Sequence, residues 1–327
     1  MSDRRSFLSS SMALLAAGAV PPMARAQTLN KPARILVGFP PGGTADLMGR
    51  QLAQRLRGAY APSVVVENRP GALQAVIVQA LLSAEPDGST LYLAPHSVSG
   101  LYPHVYRKLP YDPLTDLLPV SAVCSFEFCM AVAANVPAKN VQEFVALAKS
   151  DPKYANYGSL GLGTSFHFLG SMLANAAGLK LTHIPYKGAA PTVQAGLSGE
   201  VPSIIGPIGD IAVHHATGKL RVIATSGTQR SQFLPDVPTF EEQGYRGVTG
   251  KERFGVYVRR NTPAPAVDAA SRAIIVALQD PELRAAIEKM SYYEPRGSSP
   301  QVFEGYIRDE YRKWGEVVKA SGFTPED

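Results

Sequence analysis

Cysteine is nearly absent: the chain has 2, Cys124 and Cys129, in "CSFEFCMAVAA". Five residues apart on an extended strand, their Cα atoms would lie about 16 Å apart, beyond disulfide range. They read as two small buried hydrophobes, and they lack the spacing partners of a metal site. Charge is also sparse, at 18% of residues, and close to balance at +5 overall. No basic cluster of the kind that grips nucleic acid is present. The N-terminal apolar stretch falls short of the roughly 20 residues that a membrane-spanning helix needs. Catalytic signatures are missing as well: there is no G-x-S-x-G elbow, no H-E-x-x-H and no G-x-x-x-x-G-K-[ST]. A dinucleotide fingerprint phased on Gly161 and Gly163 fails because Phe166 stands where the third glycine belongs. Catalysis is therefore unsupported, and no cofactor or metal is expected.

What the chain does have is apolar mass. With 327 residues, 45% of them hydrophobic, it has material for a large core and for about two domains. The first 26 residues stand apart: Arg4-Arg5, an apolar stretch at 12–20 and Ala24-Arg25-Ala26 form a secretory leader cut after Ala26. Arg-Arg-Ser-Phe-Leu also resembles a twin-arginine export signal, which an ordinary leader can match by chance. Cutting there removes Arg4, Arg5 and Arg25 against Asp3, so +5 becomes +3. A slight positive excess suits a small anionic ligand.

Short β-branched runs, from 34–39 to 254–260, alternate with helical spacing such as Met48, Leu52 and Leu56. Such alternation predicts mostly parallel sheets covered by helices. One run, 119–133, is long enough to leave one sheet and enter another, with a return crossing near 247–254. The expected division is one lobe of residues 27–126 plus 253–327 and a second of 127–252. The tail reads as helical, with Thr262 and Asp280 as N-caps before Pro263 and Pro281. A last helix carries Val302, Phe303, Tyr306, Ile307, Trp314, Val317 and Val318 on one apolar stripe, ending near Gly322.

Two loops carry the functional signal. Residues 37–50, "VGFPPGGTADLMGR", run from a buried strand through Phe39, Pro40, Pro41, Gly42 and Gly43 into a helix. Thr44 is placed to cap that helix, and Asp46 falls in its first turn. Helix beginnings turn unpaired N–H groups and a positive dipole end outward, which favours a carboxylate or phosphate. The alternative is a tight turn with Asp46 merely complementing the dipole. The device recurs about 120 residues on, in "NYGSLGLGTSFHFLGSML" (156–173). There Tyr157, Gly158, Ser159, Gly161, Gly163 and Thr164 lead into a helix with His167 in its first turn. One copy per lobe makes a cleft at a domain interface, where ligand sites favour forming. Tyr186, Lys187 and Gly188 end another strand with a hydroxyl, a cation and bare backbone, a pattern also common on solvent-facing surfaces. His96 and Ser97 lie just past a strand end, where open parallel sheets bind ligands. His183 reads as a satisfied core residue, and the adjacent His214 and His215 point apart, unlike a metal-ligand pair. Ser159 and His167 share a loop, but no third orienting acid is evident.

Seven stretches, taken in order, resemble one family: "VGFPPGGTADLMGR", "VVVENRPGA", "EPDGSTLYLA", "NYGSLGLGTSFH", "HIPYKGAAPTVQAGLSGEV", "LPDVPTFEEQGY" and "RKWGEVVKASGF". They resemble the extracytoplasmic solute receptors of tripartite tricarboxylate transporters, the Bug receptors, and cover essentially all of 30–323. The resemblance implies a type II periplasmic binding protein, a Venus-flytrap of two α/β lobes joined by a hinge, with a ligand cleft between them. It implies that residues 39–46, residues 157–167 and Tyr186-Lys187-Gly188 supply N–H groups, hydroxyls and ordered water to a small carboxylate. The loaded receptor, expected to be a monomer, then docks on a membrane permease with large and small subunits. The chain departs from the family at Leu73, Gln74 and Ala75, where relatives have a glycine pair and an asparagine. It departs again at Gly206-Pro207, where they have Asp-Asn, and at Arg253, where they have an aromatic. An acid lost and a cation gained favour a dicarboxylate, or a ligand without an amine. Arg253 either grips a second carboxylate in fork geometry or points to solvent beside Lys251 and Glu252. Phe126 and Phe128 either stack on an aromatic acid or belong to the core. The expected function is periplasmic uptake of a small organic acid, aliphatic or aromatic, by a receptor that is not an enzyme. The alternatives are a ligand sensor for a signalling partner and a periplasmic hydrolase.

Overall fold

The computed structural model describes residues 29–71 and 74–325; the expected leader, 1–26, lies outside the described residues. The strands are β1 (Ala33–Val37), β2 (Val64–Asn68), β3 (Thr90–Pro95), β4 (Leu117–Ala133), β5 (Asn156–Ser159), β6 (Thr182–Pro185), β7 (Ser203–Pro207), β8 (Leu220–Thr225) and β9 (Lys251–Arg259). The helices are α1 (Thr44–Leu56), α2 (Ala75–Leu82), α3 (Ser97–Gly100), α4 (Tyr102–Val105), α5 (Val141–Ser150), α6 (Ser165–Ala177), α7 (Ala189–Ser198), α8 (Ile208–Ala216), α9 (Ala264–Ala277), α10 (Pro281–Lys289) and α11 (Pro300–Ser321). Every β-branched run expected from the sequence overlaps one of these strands.

β1 bonds in parallel to β2 on one side and β3 on the other. Its side chains alternate between two cores: Ile35 and Val37 pack with Met48 and Leu52 of α1, while Leu36 packs with Tyr92 and Phe303 of α11. A strand covered on both faces must be apolar at every position, which is why β1 reads as an unbroken hydrophobic run.

β4 is 17 residues long and joins two sheets. As far as Glu127 it pairs antiparallel with β9, which pairs in turn with β3. From Phe128 onward it pairs antiparallel with β7 and β8. β5 then lies parallel between β6 and β7. The order is β2-β1-β3-β9-β4 in the first half and β6-β5-β7-β4-β8 in the second. Each half thus repeats one pattern, with a strand that crosses from the other half in fourth place. The expected parallel pairing holds in the outer groups and fails in the middle, where both crossing strands run antiparallel. A strand arriving from the other half needs no crossover helix, so nothing forces it to be parallel.

Several helix ends differ from expectation. Thr44 is the first residue of α1 rather than its cap; Gly43 precedes it, with no side-chain cap bond. α9 likewise starts behind Pro263, not Thr262. Asp280 does cap, its carboxylate accepting from the Leu283 N–H at 2.8 Å. On α11, Phe303, Ile307, Trp314 and Val318 are buried, while Val302 and Tyr306 are exposed, so the apolar stripe is narrower than seven positions. Cys124 and Cys129 are free and buried on β4. Among the described residues no helix is long and apolar enough to cross a membrane.

Candidate functional site

A cavity of about 920 Å³ opens between the two halves. Phe39, Pro40, Gly43, Thr44 and Ser97 line it from the first half, and Thr164, Ser165, Lys187, Gly188 and Asp210 from the second. Phe126, Phe166, Phe254 and Tyr292 make much of its wall aromatic. Three long helices begin at the wall. α6 starts behind Thr164, whose hydroxyl accepts from the His167 N–H at 3.3 Å. α1 and α7 start behind Gly43 and Gly188 with no side-chain cap. Their first N–H groups therefore lack the partner a cap would give them, and an anion could supply it.

The first loop is braced from behind. Asp46 does not line the cavity: its side chain is 2% exposed, and its carboxylate accepts from the Gly42 N–H and from Arg50 Nε, both at 2.9 Å. Arg50 beside it holds the carboxyl below its ordinary value. The Gly42 N–H is consequently spent on Asp46, leaving Gly43 as the glycine at the wall. Gln74 supports the same loop, donating from Nε2 to the Gly38 carbonyl and accepting from the Tyr92 hydroxyl, each at 3.1 Å. A Cβ at position 38 would lie 1.6 Å from Gln74 Oε1, so any side chain there would push Gln74 out of this brace. Sequence reasoning registered Gln74 only as a departure; its bracing role depends on Tyr92, which arrives from a distant strand.

In the second loop, most expected residues serve the fold. The Tyr157 hydroxyl donates to the His167 carbonyl at 2.7 Å, and the Gly163 N–H donates to His167 Nδ1 at 3.3 Å. Ser159 is fully buried and meets His183 Nε2 at 2.8 Å. The His167 and His183 rings stack at 4.2 Å. Burial lowers the His167 pKa to about 4; burial, then the neighbouring His167, lowers that of His183 to about 3. Gly158 packs under the Tyr186 ring, and Gly161 sits above the Thr164 methyl. Leu160, Thr164, Ser165 and Phe166 are the residues of this loop that line the cavity. Tyr186 points elsewhere, its hydroxyl donating to Glu200 at 2.7 Å, while Lys187 faces the cavity. Gly206 is held in the ladder opposite Cys129, and the next residue, Pro207, reaches the wall.

The two expected uses of charge change places. Arg253 does not line the cavity; its guanidinium lies over the Tyr306 ring, 4.3 Å from the centroid. Its neighbour Glu252 is the wall residue. That buried carboxylate accepts from the Ser97 N–H and the Ser165 hydroxyl, both at 3.0 Å, and so ties α3 of one half to α6 of the other. His96 is fully buried behind it, with Nδ1 against Glu252 and Nε2 3.3 Å from Glu310 Oε2. Burial pulls the imidazole pKa down, but Glu252 and Glu310 more than offset this and raise it to about 9. The Arg253 N–H, 2.9 Å from Nδ1, becomes its donor once the ring is neutral. Asp210, four residues beyond Gly206, is a second acid at the wall. Phe126 lines the cavity, and Phe128 is fully buried in the core.

Two α/β halves built on one repeated strand order, with a cavity where helices begin, define a periplasmic binding protein fold. The comparisons with known proteins narrow this class. A family model described as "Tripartite tricarboxylate transporter family receptor" matches residues 48–323. The "UPF0065 protein in gbd 5'region" of Cupriavidus necator is 31% identical over 321 residues, 98% of this chain and 97% of that one. The solved structure of the periplasmic binding protein BugD is 26% identical with a TM-score of 0.79, covering 91% of this chain and 100% of that chain. R. palustris Rpa4515, solved with adipate, is 26% identical with a TM-score of 0.81, covering 90% and 98%. This chain belongs to the tripartite tricarboxylate transporter receptor family, whose members are binding receptors rather than enzymes.

Proposed function

We propose that this chain is an exported periplasmic receptor that captures a small organic carboxylate between its lobes. It passes the ligand, as a monomer, to the membrane permease of a tripartite tricarboxylate transporter. The observation that carries this reading is that the uncapped beginnings of α1 and α7, together with Lys187, line one cavity. Unpaired N–H groups at a positive dipole end suit one carboxylate. Lys187 beside α7 suits a second, so a dicarboxylate is the preferred class, and the aromatic wall accepts an aliphatic or aromatic body. The adipate found with Rpa4515 supports the class. Arg253 has no part in this reading. The lobes divide as 27–126 plus 253–327 and 127–252, a division supported by the end of the β4–β9 ladder at Glu127 and Lys251. Binding then shifts the balance between open and closed forms. The hydrolase alternative loses support because Ser159 is buried away from the wall.

A thermal-shift screen of mono-, di- and tricarboxylates tests the reading. A ligand at one hundred times its Kd adds about 2.7 kcal/mol of apparent stability. If no carboxylate moves the transition, the receptor reading falls. If monocarboxylates stabilise as much as dicarboxylates, the second subsite at Lys187 falls.

A further inference from the structure

Helix α6 belongs to the second half, yet it is packed as firmly against the first. Gly170 is pressed on the Tyr157 ring of β5, where a Cβ would come within 2.2 Å of Cζ. Two residues back, and so on the opposite face of the helix, stands Phe168. It is enclosed by Leu101, Val105, Trp314 and Val318, all from the first half. Phe168, Leu101 and Val105 are fully buried, and Trp314 is 1% exposed. Phe323, just past the end of α11, meets the His167 and Phe168 rings at 5.7 and 5.4 Å.

Polar contacts secure both ends of this seam. Glu252, on the crossing strand β9, holds the Ser165 hydroxyl at the start of α6. In the last turn Asn175 donates to the Ala320 carbonyl of α11 at 3.3 Å. Lys313 of α11 donates to the Thr249 carbonyl of the second half at 3.0 Å. Interfaces between lobes that move freely are more polar than a core, and a large hydrophobic one holds its lobes together. This seam is buried like the core itself. The other wall of the cavity is built differently. α7 and α8 pack into a separate cluster, with Ala195 against Ile204 and Ile211, whose members all lie between 129 and 237.

We propose that the seam between α6 and α11 stays shut whether or not the cavity is occupied, and that it is the pivot of the two halves. α6 then lies on the axis, its beginning already in place for an anion. The swing that opens and closes the cavity falls to α7 and the Lys187-Gly188 turn before it. The inference goes beyond the carboxylate reading, and its first test needs no ligand.

Trp314 is the only tryptophan in the chain, so its fluorescence reports on the seam. In unaltered protein emptied by unfolding in urea and refolding by dialysis, its emission should stay blue-shifted from that of the unfolded chain and resist acrylamide. Spin labels on exposed positions add distances: Ala176→Cys with Lys319→Cys spans the seam, and Leu47→Cys with Ser198→Cys spans the cavity from α1 to α7. Cys124 and Cys129 are buried and stay unlabelled. In the empty protein the seam pair should give one narrow distance and the cavity pair a broader one, which adipate or another stabilising carboxylate narrows and shortens. A readily quenched Trp314 in the empty folded protein overturns the proposal, because the seam is then a latch that opens. A cavity pair as narrow as the seam pair and unmoved by carboxylate also overturns it, since nothing swings. If no carboxylate stabilises the protein, the receptor reading fails, while quenching and distances in the empty protein still decide the pivot.

Discussion

Replacing Gly163 with alanine asks whether the second loop is seated on the opposite half as tightly as its geometry indicates. Gly163 has φ 69°, a left-handed conformation that costs an L-residue about 1–2 kcal/mol. The new Cβ would also lie 2.4 Å from Val105 Cγ1, on the fully buried side chain that ends α4. Relieving that overlap means moving the loop or the helix, at a further cost of about 1–3 kcal/mol. Truncating the partner separates the two effects. Val105→Ala alone loses two buried carbons, about 1.6 kcal/mol before any cavity cost. In the double variant the overlap is gone, and only the backbone cost of the alanine remains. Urea unfolding of the four proteins should therefore give a coupling of at least about 1 kcal/mol in favour of the double variant. Thr164 and Ser165 follow directly and line the cavity. The single variant should accordingly weaken carboxylate binding, and the double variant should recover part of it. Strictly additive stabilities would refute the seating of this loop against α4.

Two further expectations concern pH. Asp46→Ala removes the acceptor that holds the Gly42 N–H and Arg50, so it should destabilise the protein and weaken carboxylate binding. Because Arg50 keeps the Asp46 carboxyl below its ordinary value of 3.8, that stabilisation is present above 3.8 and is lost as the carboxylate protonates in acid. Urea midpoints of wild type and variant should differ at neutral pH and converge in acid; a gap that persists would mean another group anchors the loop. His96 runs the other way. Burial lowers its pKa, but Glu252 and Glu310 raise it to about 9. Its contribution is therefore complete below its ordinary 6.5 and is lost as pH rises through about 9. His96→Phe should lack this alkaline decline in the urea midpoint, and an equal decline in both proteins would exclude His96 as its source.

Much of the architecture was legible in local pattern. The strand positions, the long crossing at β4, the Asp280 cap and the helix beginnings after the two glycine-rich loops all follow from periodicity and from glycine and proline punctuation. These features need only neighbours in the chain. The antiparallel centre escaped that logic, because pairing between β4 and β9 joins segments separated by the whole second half.

The wall of the cavity was set by long-range packing. Glu252 and Arg253 are adjacent on β9, and strand alternation sends one to the cavity and the other to Tyr306. No nearby residue says which goes where. Glu252 is drawn inward by Ser97, 155 residues away, and Ser165, 87 residues away. Asp46 carried the signal of a ligand contact and instead closes its own loop, while Asp210 carried none and faces the cavity. The direction of a polar side chain depends on which distant donors the fold delivers to it, and those donors leave no trace in the residues alongside.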